Sequence, residues 1–201
     1  ASRLDRDAAF AEVAREIRTA VEKLAQPDRS RPPTATPSSR IQTRRVDPSG
    51  RGDHLTIAEA LAEAAAGDRI LLRPGVYREA VSIVKQVEIV GDAEAQNVVI
   101  ETTAGTCVVF NADRAKLENV TVRQLASESD CVQIVGGDVE LQGCTIAACG
   151  KSGVTFSGSG SAILRANRIS GAGRAGVLIM TGTGAVLEDN DIEDNLELGA
   201  F

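Results

Sequence analysis

The chain has 201 residues, room for one ordinary domain and an extension, and 43% of them are apolar, enough for a real core. Its formal net charge of −6 argues against a nucleic-acid grip, which needs a surplus of Lys and Arg on one face. No run approaches the roughly 20 apolar residues that span a bilayer, and the first residues carry no signal-peptide apolar region, so no membrane span is expected.

Residues 7–25 place Phe10, Val13, Ile17, Val21 and Leu24 at steps of three and four, the stripe of an amphipathic helix. That stripe can pack on the body of the same chain, pair with another subunit, or close a preceding domain. Pro27, Pro32, Pro33 and Pro37 follow among Ser, Thr and Arg, a composition with little to bury. The expected organisation is therefore a helix at 1–25, a Pro/Ser/Arg-rich linker at 26–54 and a folded domain at 55–201. Arg51-Gly52-Asp53 matches a short adhesion tripeptide, but three residues recur by chance.

Thr56-Ile57-Ala58-Glu59 is a capping box and predicts an Ala-rich helix running to Gly67. The segments RILLRPGVY, AVSIV, VEIV, NVVIE and CVVF come next, short and rich in Val and Ile, and read as strands.

An internal repeat then decides the fold class. Cys107-Val108-Val109-Phe110, Cys131-Val132-Gln133-Ile134, Gly153-Val154-Thr155-Phe156 and Gly176-Val177-Leu178-Ile179 align at steps of 24, 22 and 23 residues. A second series, starting at Leu117, Leu141, Leu164 and Leu187, keeps step at 24, 23 and 23. Units this short cannot close a core alone, but stacking them buries a continuous one. Alternation makes Val108, Val132, Val154 and Val177 one inward stack and Phe110, Ile134, Phe156 and Ile179 the next, with Val109, Gln133, Thr155 and Leu178 outward. Asn167 and Asn190 fall at equivalent turns, where Asn tolerates left-handed backbone and can bond to its copy on the next coil; they are expected to form a structural ladder. The expected fold is all-β, a parallel β-solenoid with coils of 22–24 residues and a helix at its start.

Residues 55–92 carry Thr56, Ile57, Ala60 and Leu61, then Gly75, Tyr77 and Glu79. This resembles the opening of right-handed parallel β-helix proteins of the pectin-lyase-like kind, including pectin methylesterases, mannuronan epimerases and the NosD family. The resemblance covers about residues 55–195 and implies that the helix plugs the solenoid end. It implies architecture more than chemistry, since the same opening occurs on catalytic and non-catalytic members. A pectin-methylesterase likeness would call for two close aspartates, an Arg and glutamines; Asp138, in GDVELQGC, is the nearest candidate and lacks that family's aromatic and glycine pattern.

A lyase or epimerase would need a base beside a cation or a Ca²⁺ site. Asp189, Asp191, Glu193 and Asp194 cluster at the last coil and are the metal candidates, although acidic residues at an exposed end usually keep it soluble. Arg114, Lys116, Arg123, Lys151, Arg165, Arg168 and Arg174 are scattered over turns and outer strands. Aromatic residues are 2% of the chain, so a sugar-stacking platform is not expected. Modules of this style resemble those attached through linkers to bacterial AAA-type ATPases and Ser/Thr kinases. The reading is a non-catalytic binding or regulatory module of a larger bacterial protein. The alternatives are a carbohydrate-active enzyme and a structural assembly rod.

Cys107, Cys131, Cys144 and Cys149 lie in one region with no C-x-x-C pair, and His54 is the sole histidine, so zinc is not expected. Buried free thiols are the expectation, which leans the otherwise open localisation toward the cytoplasm. No cofactor is expected. Partners are expected to be protein or polysaccharide, with self-association through the N-terminal helix or through an open final coil ending at residues 198–201.

Overall fold

The computed structural model describes residues 41–125, 128–147, 149–180 and 184–197. The expected helix at 7–25, the linker up to residue 40 and the chain end at 198–201 lie outside them.

The first element is a departure from expectation. β1 (Thr43–Val46) lies inside the predicted linker and pairs in parallel with β2 (Arg69–Leu72). The sequence TRRV has no apolar alternation to announce a strand. It is held by the edge of β2, by the Gln42 amide donating to Asp68 (3.0 Å), and by the Arg44 guanidinium between Glu63 (3.4 Å) and Asp68 (3.5 Å). Val46 ends it fully buried.

Helix α1 (Ile57–Glu63) starts as its capping box predicts, with Thr56 as N-cap and the reciprocal Thr56–Glu59 bonds formed. It buries Ile57, Ala60 and Leu61 in the core. It stops at Glu63, short of the Gly67 that the Ala-rich run predicted, with Ala64 already extended, and polar groups from elsewhere take its orphan ends. The Lys85 ammonium donates to the carbonyls of Leu61, Ala62 and Ala64 (2.8, 2.9 and 2.9 Å), and Glu79 accepts from the amides of Ile57 and Ala58 (2.8 and 2.9 Å).

The expected single strand RILLRPGVY is two, because Pro74 supplies no N–H: β2 is followed by β3 (Gly75–Arg78). The chain continues through β4 (Val81–Ile83), β5 (Val87–Gly91), a short 3₁₀ turn at Ala95–Asn97, and β6 (Val98–Thr102). Three long bent strands, β7 (Val108–Glu118), β9 (Val132–Gln142) and β11 (Val154–Arg165), alternate with β8 (Thr121–Gln124), β10 (Thr145–Ala147) and β12 (Arg168–Ser170). β13 (Val177–Ile179), β14 (Gly184–Glu188) and β15 (Asp191–Glu193) complete the described coils.

All pairs among these strands are parallel and join each coil to the next, which makes three ladders. The first runs from β4 through the opening halves of β7, β9 and β11 to β13. The second runs from β1, β2 and β5 through the closing halves of the same long strands to β14. The third is a six-stranded sheet in the order β15-β12-β10-β8-β6-β3. Register shifts mark the bend between the first two ladders, and there the backbones of neighbouring coils nearly touch. A Cβ on Gly137 (φ +86°) would lie 1.7 Å from the Ala112 carbonyl oxygen, and one on Gly158 would lie 1.3 Å from that of Val135, so only glycine fits.

The register stacks Val108, Val132, Val154 and Val177, and beside them Phe110, Ile134, Phe156 and Ile179. Only Ile179, on the last of these coils, is partly exposed. Val81 and Ile83 extend both stacks one coil earlier. Like residues meet because each coil must fill the same cross-section, and each fully buried Leu, Ile or Phe contributes about 1.5–3 kcal/mol. Thr155 points outward as alternation requires, yet it is buried, with its hydroxyl unpaired.

Two expectations are corrected. The left-handed residues at the turn from the second ladder to the third are Asn119, Gly143, Ala166 and Asp189 (φ 54°, 61°, 53° and 53°), one position before Asn167 and Asn190. The asparagines act through their carboxamides and not through backbone tolerance. Cys131 and Cys149 form a disulfide, and only Cys107 and Cys144 are free. A spacing of 18 residues within a repeat of 22–24 gave no hint that the turn before β11 returns to the start of β9. The lean toward the cytoplasm rested on four free thiols and loses that basis. Burial pushes the thiols of Cys107 and Cys144 up to about 12, so both remain protonated and unreactive.

Candidate functional site

The outer face of the second ladder gathers most of the chemistry that alternation turns to solvent. One row reads Arg69, Glu88, Lys116, Glu140, Ile163, Val186, each in register with the next. A second row reads Glu118, Gln142, Arg165, Glu188. A third, nearest the bend, reads Arg114, Asp138, Ser161. Arg114, Lys116, Asp138, Glu140, Ser161 and Ile163 line an open groove of about 470 Å³, with Ile41 at its rim.

Opposite charges on neighbouring coils neutralise one another across these rows. Arg69 reaches Glu88 at 2.8 Å, and Arg165 reaches Glu188 at 2.7 Å and Glu140 at 3.9 Å. Lys116 sits among Glu118 (2.9 Å), Glu140 (3.6 Å) and the side-chain Oε1 of Gln142 (2.8 Å). Burial alone would lower the Lys116 pKa, but the hydrogen bond and charge of Glu118, joined by Glu140, outweigh it and raise it. Lys116 therefore stays protonated near neutral pH and cannot serve as the base that a lyase or epimerase needs. The bond to Glu188 likewise holds the Arg165 guanidinium charged.

Asp138 stands exposed in the third row, two residues from Glu140 on the same face. Its Oδ1 accepts a hydrogen bond from the Ser161 hydroxyl at 2.8 Å. Its nearest carboxylate neighbour along the strand is Glu140, shared between two cations, and the neighbouring glutamine, Gln142, is occupied by Lys116. The structure thus brings Asp138 together with Arg114 and Ser161, a row that sequence reading passed over. The signal was present, because positions 114, 138 and 161 are separated by 24 and 23 residues like the rest of the repeat.

The metal candidates do not converge. Asp191 lies 4.0 Å from Arg168, which also binds Glu193, while Asp189 and Asp194 occupy left-handed turn positions. Among the described residues no group of three or more His, Cys, Asp or Glu side chains is placed to hold a metal ion. Asp53 of the tripeptide turns its carboxylate to the Arg45 amide (2.8 Å). His54 lies 3.8 Å from Glu63. Phe110, Phe156 and Tyr77 are buried, the last with its hydroxyl 2.9 Å from the Val46 carbonyl and 2.8 Å from that of Arg73. No helix of the described residues is long and apolar enough to cross a membrane.

The family described as "Right handed beta helix region" matches residues 84–201. Two curated proteins of Xenopus laevis, SHC SH2 domain-binding protein 1 homologs A and B, are 29% and 27% identical over 143 residues, 69% of this chain. The chain spans about a fifth of the length of these relatives, 20% in each case. Among solved structures, pectin methylesterase PemA from Erwinia chrysanthemi superposes with a TM-score of 0.62 at 17% identity, covering 73% of this chain and 53% of that one. A pectin methylesterase mutant in complex with a hexasaccharide gives 0.55 at 18% identity, covering 72% and 54%. At such identities the likeness is one of fold.

Proposed function

The chain belongs to the family of right-handed β-helix regions, and from that premise we propose that it is a non-catalytic binding module presenting the outer face of its second ladder to a protein partner. The observation that carries this reading is the mutual neutralisation of the charges around Arg114 and Asp138 in the groove: Lys116 is held by Glu118 and Glu140, and Arg165 by Glu188. Such a face offers an ordered pattern of polar groups on a rigid scaffold. An esterase centre on Asp138 would instead need a second carboxylate and a glutamine free beside it, and there Glu140 is shared between Lys116 and Arg165 while Gln142 accepts from Lys116. The lack of an outward aromatic among Phe110, Phe156 and Tyr77 argues for a protein over a sugar. The printed name of the Xenopus relatives, binding proteins of an SH2 domain, supports the same choice.

The test is thermal shift and turnover read together on pectin, polygalacturonate, alginate and neutral glycans, with and without Ca²⁺. The expected result is neither stabilisation nor product. Stabilisation by a polymer without product would replace the protein partner with a glycan, and turnover of any polymer would overturn the non-catalytic reading.

A further inference from the structure

Resting on that binding reading, we propose that the groove takes an extended peptide segment carrying an acidic and a basic side chain two residues apart, with an aliphatic residue two further along on the same face of the segment. Arg114 and Asp138 form the recognition pair. Both are exposed and occupy facing positions on adjacent coils. Every other charged side chain of the groove face has an ionic partner on a neighbouring coil or strand position: Arg69 with Glu88, Lys116 with Glu118 and Glu140, Arg165 with Glu188. Arg114 makes no ion pair with any described residue. Asp138 has none either, and its one polar contact, from Ser161 on the far side, draws Oδ1 away from Arg114. One cation and one anion thus stand side by side without a closed ion pair, on a face where all the rest is paired.

Ligand chemistry follows from that dipole. A purely acidic segment would meet Arg114 but be repelled by Asp138, Glu140 and Glu88; a purely basic one would be repelled by Arg114 and Lys116. A segment carrying both signs satisfies both. Adjacent coils lie about 4.8 Å apart, and side chains two apart on a strand are about 6.6 Å apart, a difference that long side chains absorb. Ile163, half-exposed in the neighbouring row, and Ile41, 72% exposed at the rim, give the aliphatic residue apolar surface to cover. An extended segment turns alternate side chains to one side, so residues two apart reach the groove together.

The experiment is an NMR titration of the full chain with three acetylated, amidated peptides, Thr-Glu-Thr-Lys-Thr-Ile, Thr-Gln-Thr-Gln-Thr-Ile and Thr-Lys-Thr-Lys-Thr-Ile. The Glu/Lys peptide is expected to bind about tenfold more tightly than either of the others, with shifts centred on Arg114, Asp138 and Ser161. Arg114→Glu and Asp138→Lys, both at exposed positions and checked for unchanged melting temperature, should each remove that preference. Equal binding of the three peptides, or a preference that survives both substitutions, would overturn the inference. Either result leaves the non-catalytic reading standing, whereas polymer turnover would remove that reading whatever the peptides do.

Discussion

Asn167 donates from Nδ2 to the Oδ1 of Asn190, 2.9 Å away and 23 residues along the chain, so two turns of the solenoid are joined by side chains as well as by their strands. The pattern is directional. The Oδ1 of each asparagine accepts the amide of the preceding coil, Cys144 for Asn167 (2.9 Å) and Asn167 for Asn190 (3.0 Å), while each Nδ2 also reaches a carbonyl there, Leu141 and Leu164. Asn195 repeats it at the next turn, accepting from the Ala172 amide (3.1 Å).

Asn167 is 2% exposed. Its replacement by Ala strands the buried Cys144 amide and the Leu141 carbonyl, and is expected to cost about 2–3 kcal/mol in urea denaturation. Asn190→Ala, at a half-buried position, should cost less. Equal and small effects would mean that the carboxamides are incidental.

Ala166 holds a left-handed backbone (φ 53°) that costs a residue with a Cβ about 1–2 kcal/mol. Ala166→Gly is therefore expected to raise the melting temperature, by relief that exceeds the roughly 0.5–1 kcal/mol of extra chain entropy. Ala162→Gly, inside β11 and buried, should lower it. A melting temperature lowered by both would sink this account of the turn.

Denatured without reductant, the chain should expose two alkylatable thiols, those of Cys107 and Cys144, and a reductant should raise the count to four. Loss of the Cys131–Cys149 bond, by a paired change to Ala, is expected to cost about 3 kcal/mol. Four thiols labelled without reductant would restore the original expectation of free cysteines.

Asp68 is buried, which alone would raise its pKa, but the amides of Ala65 and Gln42 and the Arg44 guanidinium outweigh this and hold it below the ordinary value. The Ser49 hydroxyl and amide lower Asp47, and the amides of Leu55 and Thr56 lower Glu59. A carboxyl depressed in the folded state stabilises the fold above its unfolded pKa, and that contribution fades as pH falls through the folded one. The urea midpoint should thus hold steady from neutrality to about pH 5 and fall below about pH 4, with Asp68→Asn blunting the fall.

The inner surface was legible in the sequence because a solenoid imposes one shape on every coil. Val108, Val132, Val154 and Val177 announce themselves by repeating the same chemistry. The outer row Arg114, Asp138, Ser161 repeats only in position, since solvent does not require like beside like, and it was passed over. β1 was hidden because an edge strand of four residues takes its pairing from β2 and not from its own pattern. The disulfide was hidden because it closes between a strand start and a turn, a contact that burial of small apolar side chains imitates.

Methanol release from methyl-esterified pectin, followed at stoichiometric protein concentration for wild type and Asp138→Asn, tests the central claim most directly. The account predicts that the two are indistinguishable from buffer, because Asp138 is a recognition residue beside Arg114. Release by wild type that disappears in Asp138→Asn would contradict it and make the groove an active site.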